Sequence, residues 1–261
     1  MAHEWHYYSP NNRHWPLTKF NHKGVYIEEG GFPELVSTRQ DSGLVVPGLP
    51  GQILLPDGQI NPMTGTMTVV VDGPRVGLTN EEVFVAWNED WDDINEGTLV
   101  VEWTKPGHLS TKVRLAGDGA VGTPAYQLDE HEQDYFTFSM PIVADSGAWV
   151  WTQRENGPSV TIHNTGRSTI YPRLTWRYAG PVTMPSGMVL NLPAVDGPRT
   201  IDFEPRESNV VTDVDGNIDY ETWSKLRGAF TEGVPRGAKR TYMLPPTAAL
   251  TWDTTVRDAW R

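Results

Sequence analysis

The chain has 261 residues, with 21 Pro, 25 Gly, 11 Trp and a formal net charge of −12, which leaves room for one large or two ordinary domains, and two are expected. Its lack of cysteine excludes a disulfide framework and any thiolate metal site, as in a protein folded in a reducing cytoplasm. No apolar run approaches the roughly 18 residues of a membrane span, and the start, MAHEWHYYSPNNRHW, lacks the basic and apolar regions of a secretory signal, so a soluble, unsecreted chain is expected.

Charge is unevenly placed. Residues 145–261 hold 13 acidic and 13 basic side chains, whereas residues 1–144 hold 20 and 8, so the whole excess is N-terminal. That step predicts a boundary between an acidic domain, 1–144, and a balanced one, 145–261. It argues against phosphate binding through a broad basic face on either half. Frequent Pro and Gly leave space only for short elements, which predicts a mainly antiparallel β protein.

In chain order, Trp5, His6, Tyr7, Tyr8, His14, Trp15 and His22 form an aromatic and imidazole cluster without regular period. His3 and His6 loosely echo a zinc motif but lack the i, i+4 spacing and helical context of HExxH, so an arm or first strand packed through its aromatics is expected. Val25 to Glu29 and Leu35 to Thr38 read as short strands. The stretch from Ser42 to Pro74 is broken by Pro47, Pro50, Pro56 and Pro62, which exclude a central strand across its middle. Its Leu44, Val45, Val46, Ile53, Leu54 and Leu55 either pack on something outside their own domain or tuck over their own sheet. Met67 to Val71 is a strand closed by the Asp72-Gly73-Pro74 turn.

Thr79 to Gly97 is the best helix candidate, because Thr79 can cap it and Glu82 stands three residues on, as in a capping box. The segment is rich in acids, including Glu81, Glu82, Glu89, Asp90, Asp92 and Asp93, and holds no base. Its spacing does not match a hard-cation loop, so a solvated acidic face is expected. Leu99 to Thr104, Ser110 to Leu115 and Tyr135 to Ile142 alternate as strands, with turns at Lys105-Pro106-Gly107 and a Gly-rich link from Gly117 to Gly122.

Beyond the Trp149-x-Trp151 pair, Ser159 to His163 and Tyr171 to Tyr178 alternate around an Asn-Thr-Gly-Arg-Ser turn and read as a β-hairpin. Further strands are expected at Val182 to Met184, Met188 to Leu192, Thr200 to Phe203, Asn209 to Asp213, Asn217 to Trp223 and Ala249 to Thr254. Asp215-Gly216 marks a hairpin turn. The surrounding DVDGNIDYE invites a calcium reading, but Ile218 and Ser224 stand where an EF-hand loop needs Gly and Glu.

No nucleophile elbow, P-loop or dinucleotide fingerprint is present in the sequence. His108, His131 and His163 have no motif-marked partner and read as packing or surface residues. The 33 acids always offer a pair at glycosidase spacing, and the sequence does not select one.

The order of C-terminal features, TIHNTGRSTIYPRLTWRYAG, the Met188 to Leu192 strand, GPRTIDFEPRESNVV with Asp202, the DGN hairpin and TWSKLRGAFTEGVPRGAKRTYMLPP, resembles the distal tail protein of long, flexible-tailed bacteriophages. Many actinobacterial phages carry such a protein as a minor tail protein. More loosely, VPGLPGQILLPDG followed by a strand is similar to the variable N-terminal stretch of that family, and the two matches cover most of the chain. Val234-Pro235-Arg236-Gly237 departs from the family's Pro-Gly pair.

The resemblance implies a split-barrel-like N-terminal β domain with a short helix, followed by a galectin-like β-sandwich. It implies a non-enzymatic hub without cofactor or metal, a homohexameric ring at the distal end of the virion tail, assembled in the host cytoplasm. Its partners would be the tail tube, the tape measure and other tail-tip proteins, with no membrane and with DNA passing through unbound. Glu81, Glu82, Glu89, Asp90, Asp92 and Asp93 would then face the lumen and repel phosphates within about a Debye length, roughly 8 Å. The alternatives are a carbohydrate-binding sandwich that stacks sugars on Trp149, Trp151 or Trp176, which a sandwich core could equally use, and a glycoside hydrolase with a sandwich domain.

Overall fold

The computed structural model describes residues 3–18, 22–40, 43–44, 53–54, 60–102, 108–117 and 135–260. Two units divide the chain: residues 1–150 with the returning segment 256–261, and residues 151–255. The charge step after Ala144 lies a few residues ahead of this division.

In the first unit, β1 (Glu4–Tyr8) pairs with β2 (His14–Pro16). Its side chains alternate, Trp5 and Tyr7 inward and Glu4, His6 and Tyr8 outward, as a pleated strand with one buried face requires. β3 (Val25–Ile27) follows, then the short ladder of β4 (Gly43–Leu44) and β5 (Ile53–Leu54), then β6 (Met63–Val71). Val45, Val46 and Leu55 of the Pro-rich stretch lie outside the described residues. Leu35 to Thr38 forms no strand, and only Arg39 makes an isolated bridge, to Ile60.

Helix α1 (Asn80–Asn88) begins as expected, with the Thr79 hydroxyl accepting from the Glu82 N–H while the Glu82 carboxylate accepts from the Thr79 N–H. It stops well short of Gly97. The Asp92 carboxylate captures the Ile94 and Asn95 N–H groups at 2.7 and 3.0 Å, giving the chain a local turn in place of another helical one.

β7 (Gly97–Glu102), β8 (His108–Leu115) and β9 (Phe136–Ala144) follow. The Lys105-Pro106-Gly107 turn and most of the Gly117 to Gly122 link, with His131, lie outside the described residues. Every pairing is antiparallel, and neighbours run β2, β1, β7, β8, β9, β6, β3. The series curls until its ends meet, where the Ile27 N–H donates to the Leu17 carbonyl just past β2 at 2.7 Å. The result is a split barrel filled by residues such as Trp5, Met67, Leu99, Val113 and Ile142. Gly97 is required there, because a Cβ would stand 2.4 Å from the Tyr7 ring.

The returning segment finishes this unit. The Ser37 N–H donates to the Arg257 carbonyl at 2.8 Å, and the Trp260 ring packs on Trp5 and Phe32 at 5.6 and 5.7 Å.

β10 (Trp149–Asn156) crosses the division, and the second unit continues with β11 (Ser159–His163), β12 (Arg173–Trp176), β13 (Gly180–Thr183), β14 (Val189–Leu192), β15 (Arg199–Asp202), β16 (Val211–Thr212), α2 (Tyr220–Leu226), β17 (Lys239–Met243) and β18 (Ala249–Val256). One sheet runs β11, β17, β13, β14, and the other runs β16, β15, β12, β18, β10. They enclose a core of Val160, Ile162, Leu174, Trp176, Phe203, Tyr242, Leu250 and their neighbours. This is the expected galectin-like sandwich, in a mainly β protein with two short helices.

Two expectations change. β11 and β12 are not a hairpin, since β11 pairs with β17 in one sheet and β12 with β15 and β18 in the other. The turn between them is a crossover held by Asn164, which is fully buried and donates to the Ser168 and Val234 carbonyls at 2.8 and 2.7 Å. Asn217 to Trp223 is not a strand; its second half opens α2, whose first turn is capped by Asp219 accepting from the Thr222 N–H at 2.9 Å. The Asp213 to Asn217 turn itself forms, with the Asp213 carboxylate accepting from the Asp215 and Asn217 N–H groups.

The Val234-to-Gly237 departure also acquires a geometry. Ala238 N–H closes the turn on the Pro235 carbonyl at 3.0 Å, with Gly237 at φ +76°, a conformation that a residue without Cβ adopts freely.

Candidate functional site

The acidic segment of the first unit divides into surface and interior. Glu81 and Glu82 in the first turn of α1, Glu89 at its end and Asp93 beyond it are exposed, and Asp92 is half-buried. Hydrogen bonds from Asn95 and Ile94 pull the Asp92 carboxyl down to about 2, and bonds from Thr79 lower that of Glu82. Both carry full charge at neutral pH.

Asp90 corrects the expectation of a uniformly solvent-facing set. It is 1% exposed and accepts from Trp15 Nε1 at 2.6 Å, with Arg13 Nε 3.4 Å away. Around it, Tyr7 stacks on Trp91 at 4.0 Å, Trp87 meets Trp15 edge-on at 5.1 Å, and the Tyr7 hydroxyl donates to the Asp90 carbonyl at 2.8 Å. Burial, reinforced by the charges of Asp90 and Asp92, pushes the Tyr7 phenol well above its ordinary range. Asp90 therefore anchors the N-terminal strands to the end of α1 and is withdrawn from the surface. The recurrence of aromatics at Tyr7, Trp15, Trp87 and Trp91 was the available signal for a buried cluster.

Two of the three tryptophans weighed as carbohydrate or protein contacts, Trp149 and Trp176, are likewise interior. Trp149 is fully buried, donates from Nε1 to the Leu35 carbonyl at 2.9 Å and meets Trp5 edge-on at 5.7 Å. Trp176 is 1% exposed and donates to the Pro193 carbonyl at 2.9 Å. Neither offers a face to a ligand, and only Trp151 is half-buried.

The second unit carries an open cleft of about 440 Å³ lined by Pro185, Ser186, Glu232, Lys239, Arg240 and Thr241. Its one carboxylate, Glu232, accepts from the Ser186 N–H and hydroxyl and lies 3.4 Å from Arg240 Nη1. Glycoside hydrolysis of the usual kind needs two carboxyl groups across the bond, so this lining does not supply its machinery. Among the described residues, the side chains that converge as metal donors are Glu4, His6 and Glu102, on the outer face of β1 and β7.

No protein-family model and no curated protein matches the chain. Among solved structures it is similar to SPP1 Dit (gp 19.1), described as a paradigm of the hub adsorption apparatus in phages infecting Gram-positive bacteria. The match has a TM-score of 0.58 at 9% identity and covers 98% of this chain and 100% of that one. Such a likeness shows the fold, a Dit-like arrangement in both of its parts.

Proposed function

We propose that this protein is a phage distal tail hub, a structural ring-forming component of the tail tip without catalytic activity. The observation that carries the reading is end-to-end agreement with SPP1 Dit, 98% of one chain on 100% of the other. A shared sandwich alone would align only one of the two units. The order of C-terminal motifs supports the same assignment independently of backbone geometry, and the narrower placement among minor tail proteins of actinobacterial phages rests on those motifs alone.

In this role the protein assembles as a hexamer at the distal end of the virion tail, between the tail tube and the receptor-binding components, after synthesis in the host cytoplasm. Ring contacts of the head-to-tail kind use two different surfaces of each copy, so a closed assembly needs no ligand to complete it. The exposed acids Glu81, Glu82, Glu89 and Asp93 fit a channel wall past which DNA slides without binding. Domains 1–144 and 145–261 would divide the work, the acidic part forming the ring and the sandwich projecting from it.

Light scattering coupled to size exclusion, followed by particle imaging, tests the reading. A hexameric ring with peripheral lobes is the expected result; a strict monomer at high concentration overturns it.

A further inference from the structure

We infer that Glu4, His6 and Glu102 form a binding site for a divalent transition metal of the zinc type, which staples the N-terminal strand β1 to β7. The inference rests on the geometry of the first unit and not on the hub reading.

The strand pairing builds the constellation. Glu4 lies directly opposite Glu102 in the β1–β7 register, and His6 lies opposite Val100. Glu4 and His6 are two residues apart and so share a face of β1, as Glu102 and Val100 share the corresponding face of β7. One donor atom from each of Glu4, His6 and Glu102 lies within 4.8 Å of the other two. His6 Nε2 is 3.9 Å from Glu102 Oε2.

Two further observations point to a cation. Like charges placed directly across an antiparallel pair destabilise it, yet Glu4 and Glu102 occupy such a pair beside an imidazole nitrogen. His6 Nε2 is buried and has no hydrogen-bond partner among the described residues, while its side chain is only 14% exposed.

The other ring nitrogen is committed. His6 Nδ1 lies 3.0 Å from His14 Nε2, and the His14 ring is stacked on Tyr8 at 4.7 Å. In the tautomer that donates Nδ1–H to His14, the Nε2 lone pair of His6 faces the Glu102 carboxylate. A hydrogen bond to the far nitrogen is the arrangement that orients ligating histidines in metal sites.

One imidazole nitrogen and two carboxylate oxygens suit zinc, which binds such donors at about 2.0–2.2 Å and keeps a fourth position for water. The imidazole disfavours calcium and magnesium, which take oxygen donors. Glu102, at 56% exposure, has room to move its carboxylate from the 4.8 Å spread towards tetrahedral spacing. Because the ligands come from two strands, the metal would act as a structural cross-link.

The test uses the full chain without an affinity tag, stripped of metal by chelator and titrated with Zn2+ by calorimetry and with Co2+ by visible absorption. The expected result is one saturable Zn2+ per chain and a Tm raised by about 5 °C at a hundredfold excess over Kd. Glu102→Gln and His6→Ala abolish the saturable event, and His14→Phe weakens it about 10- to 100-fold. Circular dichroism verifies the fold of each variant, and Glu102→Gln, at an exposed position, keeps the test decisive should His6→Ala unfold. A stoichiometry unchanged in folded Glu102→Gln, or Zn2+ binding no tighter than that of Mg2+, overturns the site.

Discussion

Asn164 Nδ2 donates to the Val234 carbonyl at 2.7 Å, and the same carbonyl also accepts the Ile170 N–H at 3.0 Å. Both lone pairs of one oxygen are thereby used to join the crossover after β11 to the segment that leads into β17. Asn164 Oδ1 accepts the Gly166 N–H at 2.8 Å, and its backbone exchanges bonds with Ala238 and Gly237. A small buried amide thus holds the place where the chain leaves one sheet for the other. Removing it by Asn164→Ala strands buried donors and acceptors at about 1–3 kcal/mol each, for an expected loss of about 2–4 kcal/mol. The urea midpoint should fall with an unchanged m-value. Asn164→Asp, which sets a carboxylate against two carbonyl oxygens, should cost at least as much; a change below about 0.5 kcal/mol in Asn164→Ala would show that the crossover is held elsewhere.

Asp90 supplies the corresponding fixture of the barrel. Its Oδ2 is the acceptor for Trp15 Nε1 at 2.6 Å, in a pocket closed by the rings of Tyr7, Trp87 and Trp91. Asp90→Ala leaves that indole N–H buried without its acceptor, so destabilisation of about 3 kcal/mol is expected. Asp90→Asn keeps a carbonyl acceptor and should cost less. Tryptophan fluorescence during urea unfolding reads both, and equal costs for the two variants would mean that the charge rather than the hydrogen bond matters.

Acid should weaken the sandwich at the start of α2. Asp219 accepts the Thr222 N–H, and Arg199 Nε lies 2.7 Å from its Oδ2. The Thr222 bond first and the Arg199 guanidinium second hold its carboxyl down to about 2, from an ordinary 3.8. A folded value below the unfolded one means stability that is complete above about pH 4 and lost as pH falls through about 2. Asp219→Ala should cost about 1–2 kcal/mol at pH 7, the usual range for losing such a cap. The Tm curves of parent and variant should converge as pH falls from 4 to 2. Curves that stay parallel across that window would remove Asp219 from the acid response.

What could be read in the sequence was local. The capping box of Thr79 and Glu82 closes within four residues, and strand alternation such as that of Ser110 to Leu115 needs no knowledge of partners, so the start of α1 and most strands were legible. The crossover at Asn164 was not, because a hairpin and a crossover present the same alternation on each side of a turn; the difference lies in partners such as Lys239 for His163, far along the chain. α2 was hidden for a related reason, since Asn217 to Trp223 is too short to separate a period of two from 3.6, although Asp219 with Thr222 three residues on was a cap signal. Side-chain direction was the other blind spot. Trp149 and Trp176 read equally as core or as sugar platforms, and Asp90 differs from its acidic neighbours through Trp15 and Arg13, partners that no local spacing reveals.

The acidic wall offers the sharpest test of the hub reading, because the chain has no cysteine and a single thiol can be placed at will. Glu89 and Asp93 are exposed and make no contribution to the capping box, so Glu89→Cys and Asp93→Cys should fold and assemble normally. If these positions line the channel of a ring, a small maleimide will label both quantitatively, whereas a maleimide on a bulky polymer will react with the assembled protein at a small fraction of its rate with the denatured chain. A thiol at Glu221, exposed on α2 of the sandwich, should react with both reagents at similar rates and serves as the reference. Equal access of the bulky reagent to all three positions in a verified ring would place Glu89 and Asp93 on an outer surface. The charge excess of residues 1–144 would then have to be explained by solubility or partner choice rather than by the passage of DNA.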